Sequence, residues 1–258
     1  MYDKIRRIIN SFPVLRYIAL NAYDIFSLLV YGNMRRSHYV KDDERKCVYL
    51  VNPKVACSSI KQSFISYSSD NENDIHFEIE KRGLVHWGAT IDKMQDYFVF
   101  TVVRNPFARL VSCYNYRYKK DIIINNRIVK EYDAYLFGFL KKDRGFKTFA
   151  KKVAKINDRI SDQAFKSQLS LIGGEKMVER IDCIVHFEKI DSFSEVIDKT
   201  GLSNLEVINS TNNTNWMDYY DREIAEIVYQ RYINDCSLLG YTEAYKELIE
   251  YLELRDNT

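Results

Sequence analysis

The sequence predicts an α/β fold in which a parallel β-sheet lies between layers of helices. Two short apolar runs, Cys47–Val51 and Tyr97–Val103, have the β-branched and aromatic composition of strands that are buried on both faces. Each run leads directly into a helical pattern of apolar residues, and a third run, Asp182–Phe187, repeats this order. Alternating strands and helices are typical of a three-layer α/β domain, whose ligands lie at the carboxyl ends of the strands.

The rest of the chain is predicted to be mostly helical. Further helices are predicted near residues 145–157, 161–172, 192–199, 216–235 and 241–253. No repeat, low-complexity segment or linker rich in Pro, Gly or Ser is visible. Residues 1–258 are therefore predicted to form a single domain, with residues 1–40 as an N-terminal helical extension.

Composition and charge exclude several classes of protein. The chain has 258 residues, of which 46% are hydrophobic and 14% aromatic, so it has enough apolar surface to fold and is not disordered. Its 38 Lys and Arg nearly balance 36 Asp and Glu, which argues against a general nucleic-acid-binding protein. The charge is uneven, however. Residues 104–130 carry seven basic side chains and only one acidic one, a basic region suited to an anion.

The cysteines and the N-terminus give weaker signals. Five cysteines, without Cys-x-x-Cys spacing, indicate reduced thiols, and we expect no metal site. The apolar stretch Tyr17–Tyr31 is interrupted by Asn21 and Asp24, so it resembles neither a signal peptide nor a membrane-spanning helix. A packed pair of N-terminal helices is the favoured interpretation. The alternative is an amphipathic surface that contacts a membrane from its cytoplasmic side.

The segment after the first strand, NPKVACSSIK, has the features of an anion-binding loop. Small residues, Ala56 to Ser59, occupy a turn that opens a helix, where backbone N–H groups and the helix dipole favour negative charge. Lys54 adds a full positive charge, and the hydroxyls of Ser58 and Ser59 can cap the helix or bind a phosphate. The nucleotide-binding pattern G-x-x-x-x-G-K-[ST] is absent, which disfavours an ordinary kinase. A plain capped helix start is the alternative.

The segment after the second strand, FTVVRNPFARLVSCY, places an arginine at the sheet edge. Asn105 suits the N-cap and Pro106 the first helical position, so Arg104 ends the strand. Arg104 and Ser112, two turns into the helix, are suitable partners for a phosphate. Alternatively, Arg104 pairs with a carboxylate to tie the sheet edge. Arg109 and Arg117 are expected to be solvated or paired along the helix.

These two segments resemble the nucleotide-binding motifs of sulfotransferases that use 3′-phosphoadenosine 5′-phosphosulfate (PAPS). VNPKVACSSIKQSF is similar to the 5′-phosphosulfate loop, and FVFTVVRNPFARLVSCY is similar to the 3′-phosphate segment. The carbohydrate branch, with chondroitin, dermatan and HNK-1 enzymes and bacterial relatives, looks most similar, over about residues 45–242. Cys57-Ser58-Ser59 departs from the Thr or Asn of many members, and residues 1–40 match nothing recognisable.

The resemblance implies a P-loop-like fold and a role for each motif. Lys54 would contact the bridging oxygen and the 5′-phosphate, and Ala56–Ser59 would wrap that phosphate. Arg104 and Ser112 would hold the 3′-phosphate. PAPS would be the co-substrate, without a metal ion. The residues expected to bind it are Lys54, Val55, Ala56, Cys57, Ser58, Ser59, Arg104 and Ser112.

An acceptor hydroxyl needs a general base, and histidine titrates near neutral pH. His86, in GLVHWGAT, is the favoured candidate, since nearby glycines and Trp87 favour a close-packed loop and an aromatic ring can stack on a sugar. His76 and Glu188 are alternatives, and it remains open that none of the histidines is the base. His186 is expected to be a satisfied core residue and His38 to be exposed.

The sequence therefore predicts a cytoplasmic sulfotransferase that transfers a sulfuryl group from PAPS to a hydroxyl of a glycan, such as a polysaccharide precursor. We expect no nucleic-acid partner. Two alternatives are a nucleotide-dependent kinase of related fold and a nucleotide-binding interaction module that lacks catalysis. Oligomeric state, acceptor sugar and hydroxyl position are not encoded in any recognisable motif.

Overall fold

A mixed five-stranded sheet forms the centre of the molecule, in the order Val85–Trp87, His38–Asp42, Cys47–Leu50, Phe98–Val103 and Cys183–His186. The computed structural model describes residues 13–65, 75–88, 94–118, 122–124, 127–129, 135–140, 145–205 and 215–257. Its strands are β1 (His38–Asp42), β2 (Cys47–Leu50), β3 (Val85–Trp87), β4 (Phe98–Val103), β5 (Ile122–Ile124), β6 (Arg127–Val129) and β7 (Cys183–His186). Strands β5 and β6 pair with each other in a separate antiparallel hairpin.

The three strands predicted from apolar runs are confirmed as β2, β4 and β7. Strand β4 lies between the other two and pairs with both in parallel, with Tyr49 opposite Phe100 and Val102 opposite Val185. The carboxyl ends of all three strands therefore meet at one edge of the sheet, where the α/β architecture places ligands.

The predicted parallel sheet is confirmed only for β2, β4 and β7, because β1 and β3, which were not expected, make the sheet mixed. Strand β1 pairs antiparallel with both β2 and β3. Its sequence, HYVKD, includes three polar residues in five, so it lacks the apolar run that marks a fully buried strand. Because β1 runs backwards, its first residue, His38, lies beside the carboxyl end of β2, and Val51 N–H donates to the His38 carbonyl (3.3 Å).

Helices occupy most of the remaining described chain. The α-helices are α1 (Pro13–Tyr31), α2 (Cys57–Ile65), α3 (Ile75–Lys81), α4 (Pro106–Cys113), α5 (Phe146–Ala154), α6 (Gln168–Ile172), α7 (Glu175–Val178), α8 (Ser194–Thr200), α9 (Arg222–Arg231), α10 (Ile233–Leu238) and α11 (Thr242–Asp256). Short 3₁₀ or π segments are Tyr114–Tyr118, Tyr135–Gly138, Asp158–Ile160, Phe187–Phe193 and Trp216–Tyr219.

Several predicted helices are shorter than expected. The stretch 161–172 is helical only in α6, and the stretch 216–235 is divided into a 3₁₀ turn, α9 and α10. Asp221 explains one break, because its carboxylate accepts from Ile224 N–H and caps the start of α9. Within residues 1–40, α1 ends at Tyr31 and β1 begins at His38, while residues 1–12 lie outside the described chain.

Helices pack against both faces of the sheet. One buried cluster joins Val48, Leu50 and Val103 to side chains of α4, α5, α9 and α11. A second cluster joins Tyr49 and Phe100 to side chains of α2, α3 and α8. Alternate strand residues belong to different clusters, as the two-residue period of a strand requires. In the part of the chain that is described, no helix is long and apolar enough to cross a membrane.

Candidate functional site

The two predicted anion-binding segments lie side by side at the carboxyl edge of the sheet. The first, called here the lysine loop (residues 51–56), joins β2 to α2, and the second, the arginine turn (Arg104 and Asn105), joins β4 to α4. Arg104 Nη1 donates to the Lys54 carbonyl (3.1 Å), and Asn52 Nδ2 donates to the Val102 carbonyl (3.0 Å). The segments are thus hydrogen-bonded to each other across neighbouring parallel strands.

The lysine loop turns through two strained residues. Lys54 and Ala56 have φ values of +74° and +61°, in the left-handed region that side chains other than glycine rarely adopt. Val55, between them, is completely buried and belongs to the cluster beneath α2. Burial of Val55 anchors a loop conformation that its backbone alone would disfavour. Strain held in this way is a common property of ligand-binding loops.

Lys54 projects from this loop towards an aromatic ring. Its ammonium nitrogen lies 3.8 Å from the centre of the Tyr116 ring, which is half exposed in the π segment after α4. This cation–π contact holds the side chain without neutralising its charge. The Lys54 ammonium therefore lies at the Tyr116 ring, at the edge of the lysine loop.

Contacts with Phe187 and Gln168 hold Arg104 in place. Its guanidinium stacks on Phe187, with 4.5 Å from Cζ to the ring centre, and Gln168 exchanges two hydrogen bonds with its backbone (2.9 and 2.7 Å). Burial lowers the pKa of Arg104, an effect that Glu188 opposes. Its Nε is buried and has no hydrogen-bond partner among the described residues. A buried donor in this state is suited to an anionic ligand.

Asn105 caps α4 as predicted. Its side-chain oxygen accepts from the N–H groups of Phe107 (2.9 Å) and Ala108 (3.3 Å). The Asn105 N–H donates to Glu188 Oε1 (2.8 Å), and Tyr241 donates to Glu188 Oε2 (2.8 Å). Glu188, an alternative candidate for the general base, thus uses both carboxylate oxygens to link the arginine turn to the C-terminal part of the chain.

Arg109 is buried, so the prediction that it is solvated or paired along its helix was wrong. Only 2% of its surface is exposed, and its guanidinium donates to three backbone carbonyls, those of Pro53 (3.0 Å), Lys166 (2.8 Å) and Gln163 (2.9 Å). The apolar neighbours of Arg109 along the chain do not reveal that the tertiary fold offers three carbonyls to one planar donor group. The side chain of Arg117 lies outside the described residues.

The other predicted binding residues lie in the first turn of α2 and near the end of α4. Cys57 and Ser58 are partly exposed in the first turn of α2, and Cys57 is a free thiol. Ser59 is buried, with 3% of its surface exposed. Ser112, on the second turn of α4, is 8% exposed. The first turn of α2 therefore offers its small side chains at the lysine loop, beside the arginine turn.

The four histidines occupy different surroundings. His86 lies on β3 rather than in the expected loop, opposite Tyr39, and the two rings stack with centres 5.4 Å apart. His186 is satisfied, as predicted, through a 2.9 Å hydrogen bond between its Nε2 and the Leu239 carbonyl. His38, expected to be exposed, instead contacts Lys61 Nζ through its Nε2 (3.0 Å). His76 Nε2 lies 3.3 Å from Ser58 Oγ, beside the lysine loop.

The two candidate bases, His86 and His76, lie on opposite faces of the sheet. Directly opposed residues of antiparallel strands point to the same face, so His86 shares a face with Tyr39, and Trp87 shares the other face with His38. The second face is the one against which α2 and α3 pack. Of the two candidates, His76 contacts a residue of the predicted anion-binding turn.

Sequence reasoning missed Gln168, which fixes the backbone of Arg104 from 64 residues away. Asp235 accepts hydrogen bonds from the N–H groups of Gln168 (2.8 Å) and Leu169 (2.9 Å) and is completely buried. Burial raises the pKa of Asp235 to about 6, although these hydrogen bonds oppose the effect. The contacts are too distant in sequence for any local pattern to reveal them.

The site as a whole can bind two negatively charged groups at neighbouring strand ends. One would lie at the lysine loop and the first turn of α2, and the other would reach the guanidinium of Arg104. The described residues contain no group of three or more His, Cys, Asp or Glu side chains arranged to hold a metal ion.

Comparison with known families agrees with this geometry. The model of a family described as "Sulfotransferase family" matches residues 37–242, more than half of the chain. The match includes both anion-binding segments and begins just before β1, so the family resemblance starts earlier than the sequence motifs indicated. No curated protein and no solved structure matches the chain.

Proposed function

Because the chain belongs to the sulfotransferase family, we propose that it transfers a sulfuryl group from PAPS to a hydroxyl group of a carbohydrate. The observation that supports this most is the pairing of the lysine loop with the arginine turn through the hydrogen bond from Arg104 to the Lys54 carbonyl. A donor with a reactive phosphosulfate and a separate 3′-phosphate requires two adjacent anion sites. The partnerless buried Nε of Arg104 fits the second of them.

In the proposed reaction, the acceptor oxygen forms a bond to sulfur while the bond from sulfur to the bridging phosphate oxygen breaks. The electron pair of that bond leaves with adenosine 3′,5′-bisphosphate, and the acceptor proton passes to a base. Negative charge grows on the bridging oxygen, so a cation there lowers the barrier. Lys54 would supply this cation, and the first turn of α2 would orient the 5′-phosphate.

The same proposal extends to the fold. A strand that ends in an anion-binding loop, followed by a helix, with the loop at the carboxyl edge of parallel strands, supports the P-loop-like class. The missing glycines are replaced by left-handed Lys54 and Ala56. In this proposal the burial of Val55, rather than the freedom of glycine, holds the loop in a conformation that can bind a phosphate.

Exposed aromatic rings support a carbohydrate acceptor. Trp87 is 45% exposed at the end of β3, where its ring lies 5.4 Å from that of His38. Tyr116 is 50% exposed beside Lys54. Flat apolar rings with polar surroundings suit the faces of sugars. A kinase is disfavoured, since neither the sequence pattern nor the family match supports one.

The decisive experiment incubates the protein with [³⁵S]PAPS and a panel of polysaccharides and oligosaccharides. We expect radiolabel in at least one glycan, together with release of adenosine 3′,5′-bisphosphate. Transfer of ³²P from [γ-³²P]ATP to the same panel, without ³⁵S transfer, would establish the kinase alternative. Binding of PAPS without turnover on any acceptor would favour the non-catalytic module.

We propose His86, which lies on β3, as the general base, and a substitution of this residue tests the role. His86→Asn should lower transfer about a hundredfold or more while the affinity for adenosine 3′,5′-bisphosphate stays within twofold. A folded His86→Asn protein that keeps wild-type turnover would eliminate this role. The stack between His86 and Tyr39 would then serve only to pack β3 against β1.

A further inference from the structure

A lysine and two histidines form a hydrogen-bonded chain that ends at the anion-binding turn. Lys61 Nζ, on the second turn of α2, contacts His38 Nε2 (3.0 Å) and His76 Nδ1 (3.0 Å). His76 Nε2, in turn, contacts Ser58 Oγ (3.3 Å). These four residues are called here the Ser58 chain. Lys61 is its buried centre, with 3% of its surface exposed, and it links β1, α2 and α3.

The chemistry of lysine fixes the direction of these hydrogen bonds. An ammonium group only donates, so both imidazole nitrogens that face Lys61 must accept and carry no proton. Neutral His76 with an unprotonated Nδ1 must hold its proton on Nε2, the atom that faces Ser58. His38 is suited to accept, because burial, together with the charge of Lys61, lowers its pKa to about 3.

We propose that His76 is a positioning residue that orients the hydroxyl of Ser58 towards the phosphosulfate group. Ser58 Oγ accepts the proton of His76 Nε2, so its own O–H is left to donate to an anion at the start of α2. The inference rests on the proposed function, since it assigns the anion to PAPS. The inference also means that His76 is not the general base. Its Nε2 already holds a proton, and a second would create an imidazolium 3.0 Å from an ammonium.

Glutamine distinguishes positioning from base catalysis at residue 76. In His76→Gln, the amide oxygen can accept from Lys61 and the amide nitrogen can donate to Ser58, but the side chain cannot take a proton. We expect His76→Gln to bind adenosine 3′,5′-bisphosphate within about threefold of wild type and to retain turnover. His76→Ala should weaken binding about five- to tenfold, as for the loss of one hydrogen bond. Glu80→Ala, on the exposed side of α3, is the matched control.

A double-mutant cycle tests whether His76 acts through Ser58. Calorimetry of Ser58→Ala, His76→Ala and the double variant should show that the second substitution adds less than twofold to the first. Losses that multiply would overturn the proposal. Equal losses of about a hundredfold in turnover for His76→Gln and His76→Ala would also overturn it, because they would identify His76 as the base.

The tautomer of His76 gives a readout that needs no activity. In long-range ¹H–¹⁵N spectra at pH 7.5, His76 should show a fully protonated Nε2 and an unprotonated Nδ1, and Lys61→Met should let the other tautomer appear beside it. The opposite tautomer in the wild-type protein would refute the chain. If the wild-type protein failed to bind adenosine 3′,5′-bisphosphate while the tautomer was as expected, the proposed function would fail and the Ser58 chain would stand.

A separate observation concerns helix α1, whose polarity is inverted. Polar residues face the protein: Asn21 Oδ1 accepts from Phe137 N–H (3.1 Å), Asp24 pairs with Arg35 (3.0 Å), and Ser27 Oγ donates to the Asn33 carbonyl (2.8 Å). Every exposed side chain among residues 15 and 17–31 is apolar or aromatic. The most exposed of the large ones are Ile18, Tyr23, Phe26, Leu29, Val30 and Tyr31. A helix that faces water normally shows the reverse pattern.

We infer that this face of α1 lies on an anionic membrane surface. Residues 1–36 carry six basic side chains, Lys4, Arg6, Arg7, Arg16, Arg35 and Arg36, against Asp3 and Asp24, a net charge of +4. Asp24 is already paired with Arg35. An apolar helix face with tyrosines and nearby basic residues matches the interfacial arrangement in lipid. The positive charge matches acidic headgroups, whereas the face of a second copy would carry the same charge.

Vesicle flotation tests this inference. The protein should float with vesicles that contain 30 mol% phosphatidylserine and much less with pure phosphatidylcholine. Phe26→Glu/Leu29→Glu should reduce flotation at least tenfold, and Leu238→Glu, at an exposed apolar residue of α10, should not. Unchanged binding of adenosine 3′,5′-bisphosphate would show that the variant is folded. Absence of flotation by the wild type, or a dimer that the double substitution dissociates, would overturn the proposal, and the dimer would assign this face to a second copy.

Discussion

The lysine loop and the arginine turn join neighbouring parallel strands to helices, yet they are built differently. The backbone of the arginine turn is fully hydrogen-bonded at its N–H groups, which donate to Gln168 and Glu188, and Asn105 caps α4. The lysine loop contains two left-handed residues, and guanidinium groups of Arg104 and Arg109 bind its carbonyls. The strained loop is therefore supported by the arginines that follow β4. Reactive charge and structural support are thus placed on different strands.

The largest expected effect separates the chemical role of Lys54 from the binding role of Arg104. Lys54→Ala should lower turnover about a hundredfold to a thousandfold, because its charge is needed most when the bridging oxygen leaves. Steady-state kinetics with [³⁵S]PAPS and the glycan acceptor measure this effect, with the exposed Lys199→Ala as control. A raised Michaelis constant for PAPS with unchanged turnover would mean that Lys54 only binds.

Arg104→Ala should weaken binding of adenosine 3′,5′-bisphosphate about tenfold to a hundredfold, through the loss of a charged donor from a buried site. Affinity for 5′-AMP should change much less if the guanidinium holds the 3′-phosphate. Calorimetry with both nucleotides measures the difference, and Arg222→Ala, at an exposed ion pair with Glu253, is the control. An equal loss for both nucleotides would indicate that Arg104 acts only through the Lys54 carbonyl.

Arg109→Met tests the support given to the lysine loop. The substitution leaves the carbonyls of Pro53, Gln163 and Lys166 without their donor, so we expect a loss of about 3 kcal/mol or more in the free energy of unfolding. For a chain of this size, that corresponds to a melting temperature lower by roughly 6–12 °C in calorimetry. A change as small as that of Arg222→Ala would show that the loop keeps its shape without Arg109.

The smallest expected effect is the dependence of folding stability on pH that arises from His38. Burial lowers the pKa of His38 from 6.5 to about 3, and the charges of Lys61 and His76 add to this effect. Between these two pH values the unfolded chain binds a proton at His38 and the folded chain does not. Stability should therefore fall as pH drops below about 6.5 and stay flat above it. His38→Gln keeps an acceptor for Lys61 but cannot titrate. Its melting temperature should fall a few degrees less than that of wild type between pH 7.5 and 5, and an equal fall would contradict the buried, neutral His38.

Local sequence by itself determined the strands that carry the site and the chemistry of their ends. The apolar runs of β2, β4 and β7 have the composition of strands buried on both faces, and Asn105-Pro106 is a local helix-start signal. These local patterns are enough to assign Lys54, Arg104 and the small residues after Val55 to one edge of the sheet. The family match supports the sulfotransferase class inferred from the same residues.

Tertiary structure alone decided which groups meet around those ends. The antiparallel strand β1 brings His38 to Lys61, 23 residues away, and α3 brings His76 to Ser58. Gln168 and Arg109 acquired their roles from carbonyl and amide groups more than 50 residues distant. Such contacts depend on chain reversals and on burial of polar groups, which have no sequence period. A sequence shows which side chains can bind an anion, but folding determines which partners hold them in place.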